Sequence, residues 1–434
     1  MQEEKGLLKP YKLLQMAGLP LIPMLASFCL LHRKYRSQFM ARIGVHLPKL
    51  DKRTPKIWIH AMSLGEYNAA RPLIKAISSA IPDAILIVSA STRSGLEALR
   101  KDSLNQNHVT VAMPYDLFFI TKKFVNRLCP NCFLLVETDL WPCLLWDLHK
   151  HGCKIILANG SISSNSAKRL QKIPRLARFL YGPFTKLCMQ SNDDAKRLKG
   201  LGIGHDKIEV LGNLKSDIIP PAITDQVRKR LMEATGFPIT SPILCAGSTH
   251  EPEEKILLEA FLRLRRHHKD LKMILAPRDV RRGKEIERIC SQLSLTYRSR
   301  SKGPKRNNPD IYILDTLGEL QKFYAICHLA FVGGSLAPVG GHNLLEPIHL
   351  GRPVIFGPHV ESCQEVARAL MEKGAGFMVT DQIALEKTTE KLLPASSSYD
   401  SAKKAAIDFS RSIRGVAGRY AEMVKTLLHN NDNL

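Results

Sequence analysis

A glutamate placed like a catalytic base follows the first apolar segment of this 434-residue chain. The segment 56–61 is typical of a β-strand, and it leads into the turn Gly65-Glu66-Tyr67, after which a helical pattern begins. The dipole of a helix favours an ionised carboxylate at its N-terminus, which suits a general base that takes a proton from a hydroxyl group. The alternative is that Glu66 is only a favourable acidic residue in the first helical turn.

A second acidic residue follows the fourth predicted strand. Glu137 begins the run ETDLWP (137–142) directly after four apolar residues. Burying a carboxylate is costly unless it is paired or functional. Glu137 is therefore a candidate site residue, and a structural ion pair across a cleft is the equally plausible alternative.

Two groups in the second half of the chain could bind an anion. Ser248, Thr249 and His250 follow a predicted strand and stand where a helix begins, so hydroxyls, an imidazole and free backbone N–H groups would meet there. Helix capping explains the same residues equally well. Pro277 and Arg278 end the next strand, where a guanidinium could face a phosphate or a carboxylate.

The stretch 331–347, FVGGSLAPVGGHNLLEP, carries the clearest binding pattern. Paired glycines let the backbone approach a ligand closely, and a helix N-terminus after Gly341 could hold a phosphate. Glu346, one turn later, could bind ribose hydroxyls. A stretch with so many glycines and so few large side chains is hard to explain as part of a hydrophobic core, and we predict a nucleotide site here.

Such residues need a scaffold that brings strand ends together. After residue 50, apolar β-rich runs alternate with longer amphipathic stretches, which is typical of parallel sheets covered on both faces. The predicted strands are 56–61, 84–90, 109–114, 132–138, 154–159, 186–191 and 208–212, then 242–248, 271–277, 310–316, 329–335, 353–358 and 376–380. We therefore predict an α/β protein with two doubly wound domains, whose carboxyl strand ends face each other across a cleft.

The predicted boundaries are an N-terminal anchor with a basic flank at 1–45, a first domain at 46–213, a linker at 214–222, a second domain at 223–400 and a closing helix at 401–434. Neither domain has a G-x-G-x-x-G run after its first strand or a P-loop, so dinucleotide and P-loop binding have no support.

The charge indicates an anionic partner. Lys and Arg number 63 against 40 Asp and Glu, a net charge of +23, so phosphate groups, carboxylates or an anionic membrane surface would attract the protein. We expect no nucleic-acid partner, because no RGG tract or zinc-finger spacing is present. Ten scattered cysteines fit a reducing compartment, and the spaced pair Cys129 and Cys132 is explained best by packing.

The N-terminal segment predicts a membrane anchor. Residues 13–31 carry no charge and would form a helix about 28 Å long, although Pro20 and Pro23 would kink or break it. A basic cluster at 32–36 follows, which predicts that the rest of the chain lies on the cytoplasmic side of the inner membrane. An interfacial anchor, a cleaved signal peptide and a buried core helix are the alternatives to a single span.

A basic stretch at 168–186 suggests a second contact with lipid. It has six basic residues and no acid, interleaved with apolar residues, so it could lie on an anionic membrane and contact an anionic acceptor. A solvated basic face is the alternative. The candidate contact residues are Lys168, Arg169, Lys172, Arg175 and Arg178.

Several separate motifs together resemble one family. HAMSLGEYNAARPLI, MPYDL, ETDLWP, LGNLKSD, AGSTHEPEE, APRD, DTLGEL and FVGGSLAPVGGHNLLEPIHLGRPVIFGP occur in this order between about residues 55 and 360 and resemble the Kdo transferases of lipopolysaccharide biosynthesis. The resemblance implies a GT-B fold of two Rossmann-like domains. It also implies transfer of one or more Kdo units from CMP-Kdo to lipid IVA with inversion.

The resemblance assigns roles to particular residues. It makes Glu66 the proton acceptor, and Glu137 and Lys215 the residues that support the transition state. The residues matching the CMP-holding segments, together with the anion-site residues above, form the predicted donor site: Ser248, Thr249, His250, Pro277, Arg278, Leu317, Gly318, Glu319, Gly341, His342, Asn343, Leu344, Leu345 and Glu346.

No metal or other cofactor is expected, since the chain has no D-x-D pair and a monophosphate leaving group needs less help than a diphosphate. Tyr67 and Arg71 depart from the family pattern beside Glu66, which points to the acceptor side. The alternatives are another GT-B enzyme that uses a different nucleotide sugar, and a non-catalytic basic protein that binds lipid or nucleic acid.

Overall fold

The computed structural model describes residues 7–18, 20, 22–51, 53–102, 108–137, 139–220, 223–303, 308–394 and 396–429. The chain divides into two compact units. The first unit comprises Met1–Ile218 together with Gly415–Leu434, and the second comprises Ile219–Arg414.

The N-terminal region forms three short helices, α1 (Leu8–Gly18), α2 (Ile22–Leu31) and α3 (Arg33–Arg42). The uncharged run 13–31 is therefore not one continuous helix. Pro20 lies between α1 and α2, where its missing N–H and its ring oppose helix continuation, whereas Pro23 lies in the first turn of α2, where proline is tolerated. No helix among the described residues has both the length and the apolar character needed to cross a membrane.

The first unit is built on a seven-stranded parallel sheet in the order β3-β2-β1-β4-β5-β6-β7. Its strands are β1 (Lys56–His60), β2 (Ile85–Ala90), β3 (His108–Ala112), β4 (Cys132–Val136), β5 (Lys154–Gly160), β6 (Lys186–Met189) and β7 (Ile208–Val210). The helices are α4 (Leu64–Ala80), α5 (Arg93–Lys101), α6 (Phe118–Leu128), α7 (Pro142–Lys150), α8 (Ser164–Gln171), α9 (Pro174–Tyr181) and α10 (Asn192–Lys199). All seven predicted strands are confirmed.

The central strands of this sheet are buried on both faces. Ile57, Trp58 and Ile59 of β1 have no exposed surface, and they divide alternately between two hydrophobic clusters. Covering both faces is the reason the strands read as continuous apolar runs.

The second unit has another seven-stranded parallel sheet, in the order β10-β11-β9-β8-β12-β13-β14. Its strands are β8 (Ile243–Thr249), β9 (Lys272–Pro277), β10 (Tyr297–Ser299), β11 (Ile311–Ile313), β12 (Leu329–Val332), β13 (Val354–Phe356) and β14 (Gly376–Met378). The helices are α11 (Asp225–Thr235), α12 (Glu253–Leu264), α13 (Gly283–Gln292), α14 (Leu320–Tyr324), α15 (Leu345–Ile348), α16 (Gln364–Glu372), α17 (Gln382–Lys391) and α18 (Ser397–Ser412). The prediction of an α/β protein with two Rossmann-like parallel-sheet units is confirmed.

One strand of the second unit was not predicted. The edge strand β10 is three residues long and reads Tyr-Arg-Ser, so it offers no apolar run.

The segment 401–434 is not a single closing helix. The helix α18 ends at Ser412, and α19 (Val416–His429) begins after Gly415, whose φ of +83° interrupts the helical path. The carboxylate of Asp217 accepts the N–H groups of Gly415 and Ala417 at 2.7 and 2.6 Å, so it caps α19. The helix α19 packs on α4 and belongs to the first unit.

The segment 214–222, predicted as a linker, is partly built into the first unit. Leu214–Asp217 forms a 3-10 turn, and Leu214 is fully buried in a hydrophobic cluster with residues of α19. The division between the units falls after Ile218, and residues 221 and 222 lie outside the described residues.

Candidate active site

The strand order explains why Glu66 and Glu137 lie in one region of the first unit. The neighbouring strands β1 and β4 are far apart in sequence, and the chain winds away from them toward opposite edges of the sheet. Ligands of open α/β sheets bind outside the carboxyl ends of strands at such a switch point. Glu66 follows the carboxyl end of β1, and Glu137 follows that of β4.

Glu66 is held by the N-terminus of its own helix. Ser63 caps α4 and accepts the Glu66 N–H at 3.3 Å, while the Glu66 carboxylate accepts the Met62 N–H at 2.6 Å and the Ser63 hydroxyl at 3.3 Å. This arrangement resembles a capping box, so the first-turn role is present.

The pKa of Glu66 nevertheless differs from that of an ordinary first-turn acid. The pKa is raised from 4.5 to about 7, mainly by burial and also by the nearby carboxylates of Glu137 and Asp139, while the hydrogen bonds from the Met62 N–H and the Ser63 hydroxyl oppose the shift. A carboxyl group with a pKa near neutrality is matched to accept a proton at physiological pH.

Glu137 is held in an unusual backbone conformation beside a lysine. Its φ is +68°, a left-handed conformation that costs a non-glycine residue about 1–3 kcal/mol. The Nζ of Lys215 lies 3.9 Å from its carboxylate oxygen. Glu137 is therefore ion-paired, but with Lys215 of the same unit, so the pair joins two of the predicted site residues within the first unit.

Hydrogen bonds around Asn159 fix the turn that carries Lys215. The Asn159 side chain accepts the N–H of Leu214 at 2.9 Å, and Asn213 accepts the Lys215 N–H at the same distance. The N–H of Asn159 donates to the hydroxyl of Tyr420 from α19 at 2.8 Å. Neither Asn159 nor Tyr420 is predictable as a site residue, because nothing local connects residue 420 with the turn at 215.

Two polar atoms in the run 137–142 have no partner. Among the described residues, neither the Oδ2 of Asp139 nor the Nε1 of Trp141 makes a hydrogen bond, although both atoms are buried. Burial raises the pKa of Asp139. Asp139 lies close enough to raise the pKa of Glu66, so a buried carboxylate oxygen with no partner in the described part of the chain lies beside the candidate base. Thr138, in the same run, lies outside the described residues.

Asp116, from the MPYDL motif, caps the helix that follows this run. Its carboxylate accepts the N–H groups of Cys143 and Leu144 at 3.1 and 2.9 Å, which caps α7 directly after Trp141 and Pro142. The hydroxyl of Tyr11 in α1 donates to the same carboxylate at 3.0 Å. The motif was visible in the sequence, but its capping role was not.

Tyr67 and Arg71 both bind the carboxylate of Asp102. The Tyr67 hydroxyl donates to the Asp102 carboxylate at 2.8 Å, and the Nε of Arg71 lies 2.8 Å from the same carboxylate. Tyr67 is buried, whereas Arg71 is half exposed. Tyr67 and Arg71 therefore link α4 to the end of α5.

In the second unit, a switch point lies between β8 and β12. Glu253, at the start of α12, is fully buried there. Its carboxylate accepts the N–H of His250 at 2.9 Å and those of four consecutive residues, 334–337, at 2.8, 2.9, 2.8 and 3.2 Å. Glycine is required at 333, because a Cβ there would lie 2.5 Å from the Ser248 carbonyl oxygen and 2.8 Å from Glu253.

Part of the backbone of the glycine-rich stretch is thus hydrogen-bonded within the protein. Glu253 takes the N–H groups of 334–337, and the Gly341 N–H donates to the Gly334 carbonyl at 2.7 Å. The helix expected after Gly341 is the single turn α15, and Asn343 accepts the Leu345 N–H at 3.1 Å. A phosphate at the helix N-terminus after Gly341 therefore stays a prediction, whereas the N–H groups of 334–337 are taken by Glu253. Leu344 and Leu345 are buried in the core.

Two imidazoles and a guanidinium lie near the same switch point. The Nε2 atoms of His250 and His342 lie 2.8 Å apart, and the two rings stack with centroids 5.1 Å apart. Burial lowers the pKa of His342, and the nearby His250 and Arg278 lower it further. Pro277 ends β9 in the core, and the next residue, Arg278, has an exposed side chain.

The remaining donor-site candidates fall into three settings. Glu346 accepts a hydrogen bond from Asn343 at 3.4 Å, and burial raises its pKa. Ser248 has a φ of +55°, and the buried Thr249 hydroxyl donates to Glu254 at 3.4 Å.

The segment 317–319 is the third setting. Leu317 is 79% exposed and Gly318 has a φ of +80°. Two nitrogens of Arg300 bind the Glu319 carboxylate at 3.1 and 2.8 Å, and this pairing lowers its pKa. Glu319 therefore already has a cationic partner.

The comparisons with known proteins agree with this arrangement. A family model described as 3-deoxy-D-manno-octulosonic-acid transferase (kdotransferase) matches residues 37–218. The 3-deoxy-D-manno-octulosonic acid transferase of Chlamydophila psittaci is 32% identical over 362 residues, which cover 83% of this chain and 82% of that protein. The chain belongs to the Kdo transferase family. The enzyme of the same name from Haemophilus influenzae is 29% identical and covers 92% of this chain and 93% of its own length.

Membership in the Kdo transferase family confirms the predicted class, a glycosyltransferase of lipopolysaccharide biosynthesis. A crystal structure of a glycosyltransferase from Rickettsia africae aligns with a TM-score of 0.59 at 15% identity, covering 87% of this chain and 99% of that one. At that identity the likeness shows the fold alone, and it agrees with a GT-B fold, in which each unit is Rossmann-like.

Among the described residues, no three His, Cys, Asp or Glu side chains come together as a possible metal-ligand group.

Proposed function

We propose that this Kdo transferase moves Kdo from CMP-Kdo to lipid IVA with inversion at the anomeric carbon. Glu66 carries the proposal, because its carboxyl group has a pKa of about 7 and lies at the carboxyl end of β1, beside orphaned polar atoms, in a member of this family. The acceptor is assigned to the first unit and the donor to the second.

In the proposed reaction, an acceptor hydroxyl oxygen bonds to the anomeric carbon of Kdo while the bond from that carbon to the CMP phosphate breaks. Glu66 takes the hydroxyl proton. A single displacement with one base inverts the anomeric centre. Lys215, held beside Glu137, supports the developing charge on the acceptor side.

On the donor side, side chains bind the CMP phosphate. Arg278 is the cationic group and the His250–His342 pair offers imidazole N–H donors, since the backbone N–H groups of 334–337 are occupied by Glu253. Glu346, with Asn343 beside it, is the candidate for the ribose hydroxyls.

The test combines purified protein, CMP-Kdo and lipid IVA, with mass spectrometry to count the Kdo units added. Glu66→Gln should reduce kcat by about 10²–10⁴, the range of general base catalysis. The matched control is Glu285→Gln, because Glu285 is also a first-turn acid but is paired with Arg288 on the surface. Transfer from a uridine diphosphate sugar with no use of CMP-Kdo would contradict the proposal.

The proposal also places the first unit on the cytoplasmic face of the inner membrane. Helix α1 docks on the unit through Leu8, Tyr11 and Gln15, while Leu13 and Leu14 on its other side are 63% and 71% exposed. Exposed leucines on a docked helix suit an interfacial anchor.

The basic segment adjoins this helix. Phe179 of α9 stacks on Trp146 and contacts Tyr11 of α1. The helix with the exposed leucines and the basic segment therefore pack on the same hydrophobic cluster. The exposed cations of the segment are Lys168, Arg169, Lys172 and Arg175, and Arg178 is half-buried. Together these surfaces match an anionic membrane.

Sedimentation with anionic vesicles tests this location. A Leu13→Gln/Leu14→Gln variant and a variant with Gln at 168, 169, 172 and 175 should each bind more weakly than the wild type. Unchanged binding by both variants would refute the placement. Ile239→Gln is a control for the leucines, since Ile239 is 78% exposed on the second unit.

A further inference from the structure

The first unit has a groove that none of the assigned residues line. A cavity of about 700 Å³ lies between α3, α5 and the edge strand β3, and a neighbouring cavity of about 430 Å³ shares Ser37, Ala41, Leu96 and Arg100 with it. We call this pair of cavities the α3–α5 groove.

The groove combines cations with an apolar wall. Arg36 and Arg100 line it with exposed side chains, and among the described residues neither guanidinium has an ion-pair partner. Met40, Leu96 and Val111 supply apolar surface. The acid that lines the groove, Glu97, is paired with Arg93 at 2.7 Å. An occupant should therefore carry an anionic group and a hydrocarbon portion.

Hydrogen bonds connect the groove to the turn of Glu66. Gln38 of α3 donates to the Ser91 carbonyl at 2.9 Å, and the N–H groups of Ser91 and Thr92 donate to the Met62 carbonyl at 3.1 Å. The Met62 N–H in turn donates to the Glu66 carboxylate. The groove thus adjoins the segment that holds the proposed base.

We propose that the α3–α5 groove binds the phosphorylated and acylated end of the lipid acceptor. Arg36 and Arg100 bind the phosphate, and an acyl chain lies along Met40, Leu96 and Val111. The inference rests on the proposed function for the identity of the acceptor. A nucleotide sugar would leave the apolar wall unused, and a concave groove fits one inserted chain better than a membrane surface.

The test compares Arg36→Gln, Arg100→Gln and the double variant with Arg127→Gln. Arg127 is an exposed arginine of the same unit that does not line the groove. Each groove variant should raise the KM for lipid IVA about tenfold, which corresponds to about 1.4 kcal/mol. The kcat and the KM for CMP-Kdo should not change. The difference should vanish with a dephosphorylated acceptor, and Met40→Gln should weaken only acylated acceptors.

Two outcomes would overturn the inference. One is a KM for lipid IVA in the double variant equal to that of Arg127→Gln. The other is weaker binding to phospholipid vesicles with no change in acceptor KM, which would assign the groove to bulk lipid.

Failure of the proposed function is separable, since the wild type would then transfer no Kdo at all. In that case equilibrium binding of lipid IVA to the same variants decides the groove, and equal affinity in the wild type and double variant would refute it. Equal thermal midpoints for all variants show that folding is not the cause, as expected for exposed arginines.

Discussion

Glu253→Gln keeps the shape of a fully buried side chain but removes its charge and one of its two acceptor atoms. In the wild type, Oε1 accepts three N–H groups from residues 335–337, and Oε2 accepts those of His250 and Gly334. The glutamine should place its amide oxygen at the first position, because that orientation keeps three hydrogen bonds. Its NH₂ group would then face two buried donors.

Each buried donor left without a partner costs about 1–3 kcal/mol, so the substitution should destabilise the second unit by about 2–6 kcal/mol. The loss should appear in the loops that carry His250 and His342, and the KM for CMP-Kdo should rise with it. Urea unfolding gives the free energy, and hydrogen exchange at 334–337 locates the change.

Glu251→Gln is the matched control. Glu251 lies two residues earlier, its side chain is 75% exposed, and it is paired with Arg282, so its loss should cost less than about 1 kcal/mol. If Glu253→Gln were no less stable than this control and exchanged equally slowly at 334–337, the role given to Glu253 would be refuted.

Four further predictions concern both units. The kcat/KM for the acceptor should rise about tenfold from pH 6 to pH 8, because the Glu66 carboxyl, with a pKa of about 7, must lose its proton to act as a base; a flat profile would exclude it. The raised pKa also means that the folded state loses stability as pH rises toward 7, so Glu66→Gln should stabilise the protein more at pH 8 than at pH 5 in thermal unfolding. Tyr67→Phe should cost about 1.5–3 kcal/mol in urea unfolding, because it removes a hydrogen bond to the charged Asp102 carboxylate, which keeps its ion pair with Arg71, and unchanged stability would contradict this. Gly247→Ala should cost about 1–3 kcal/mol or more, because its Cβ would lie 2.0 Å from the Tyr324 hydroxyl oxygen, and an unchanged midpoint would refute the close packing.

The fold was largely predictable because parallel strands buried on both faces leave long apolar runs. The runs around Ile57 and Phe331 identify their strands without any knowledge of neighbours. The edge strand β10 has no such run, and it was missed for that reason. Strand order depends on long-range pairing, so the switch points beside Glu66 and His250 could not be read from the sequence.

The site was predictable to the level of segments rather than of contacts. The motifs located Glu66, Glu137 and Lys215, and the structure places all three in the first unit. What the sequence could not show is how backbone donors are used. The glycines around 334 favour close approach of the backbone to a ligand, but Glu253 reaches this stretch from 81 residues away and accepts the N–H groups of 334–337.

The return of α19 to the first unit has a consequence for biosynthesis. Val416, Tyr420 and Val424 fill the core beneath β1 and β4, yet the ribosome makes them only after the whole second unit. During synthesis the first unit therefore exposes an apolar surface until residues 219–414 have emerged and α19 can cover it. A stop codon or a bulky fusion near residue 416 would act on the distant turn of Lys215, because Asn159 donates to Tyr420 and accepts from Leu214.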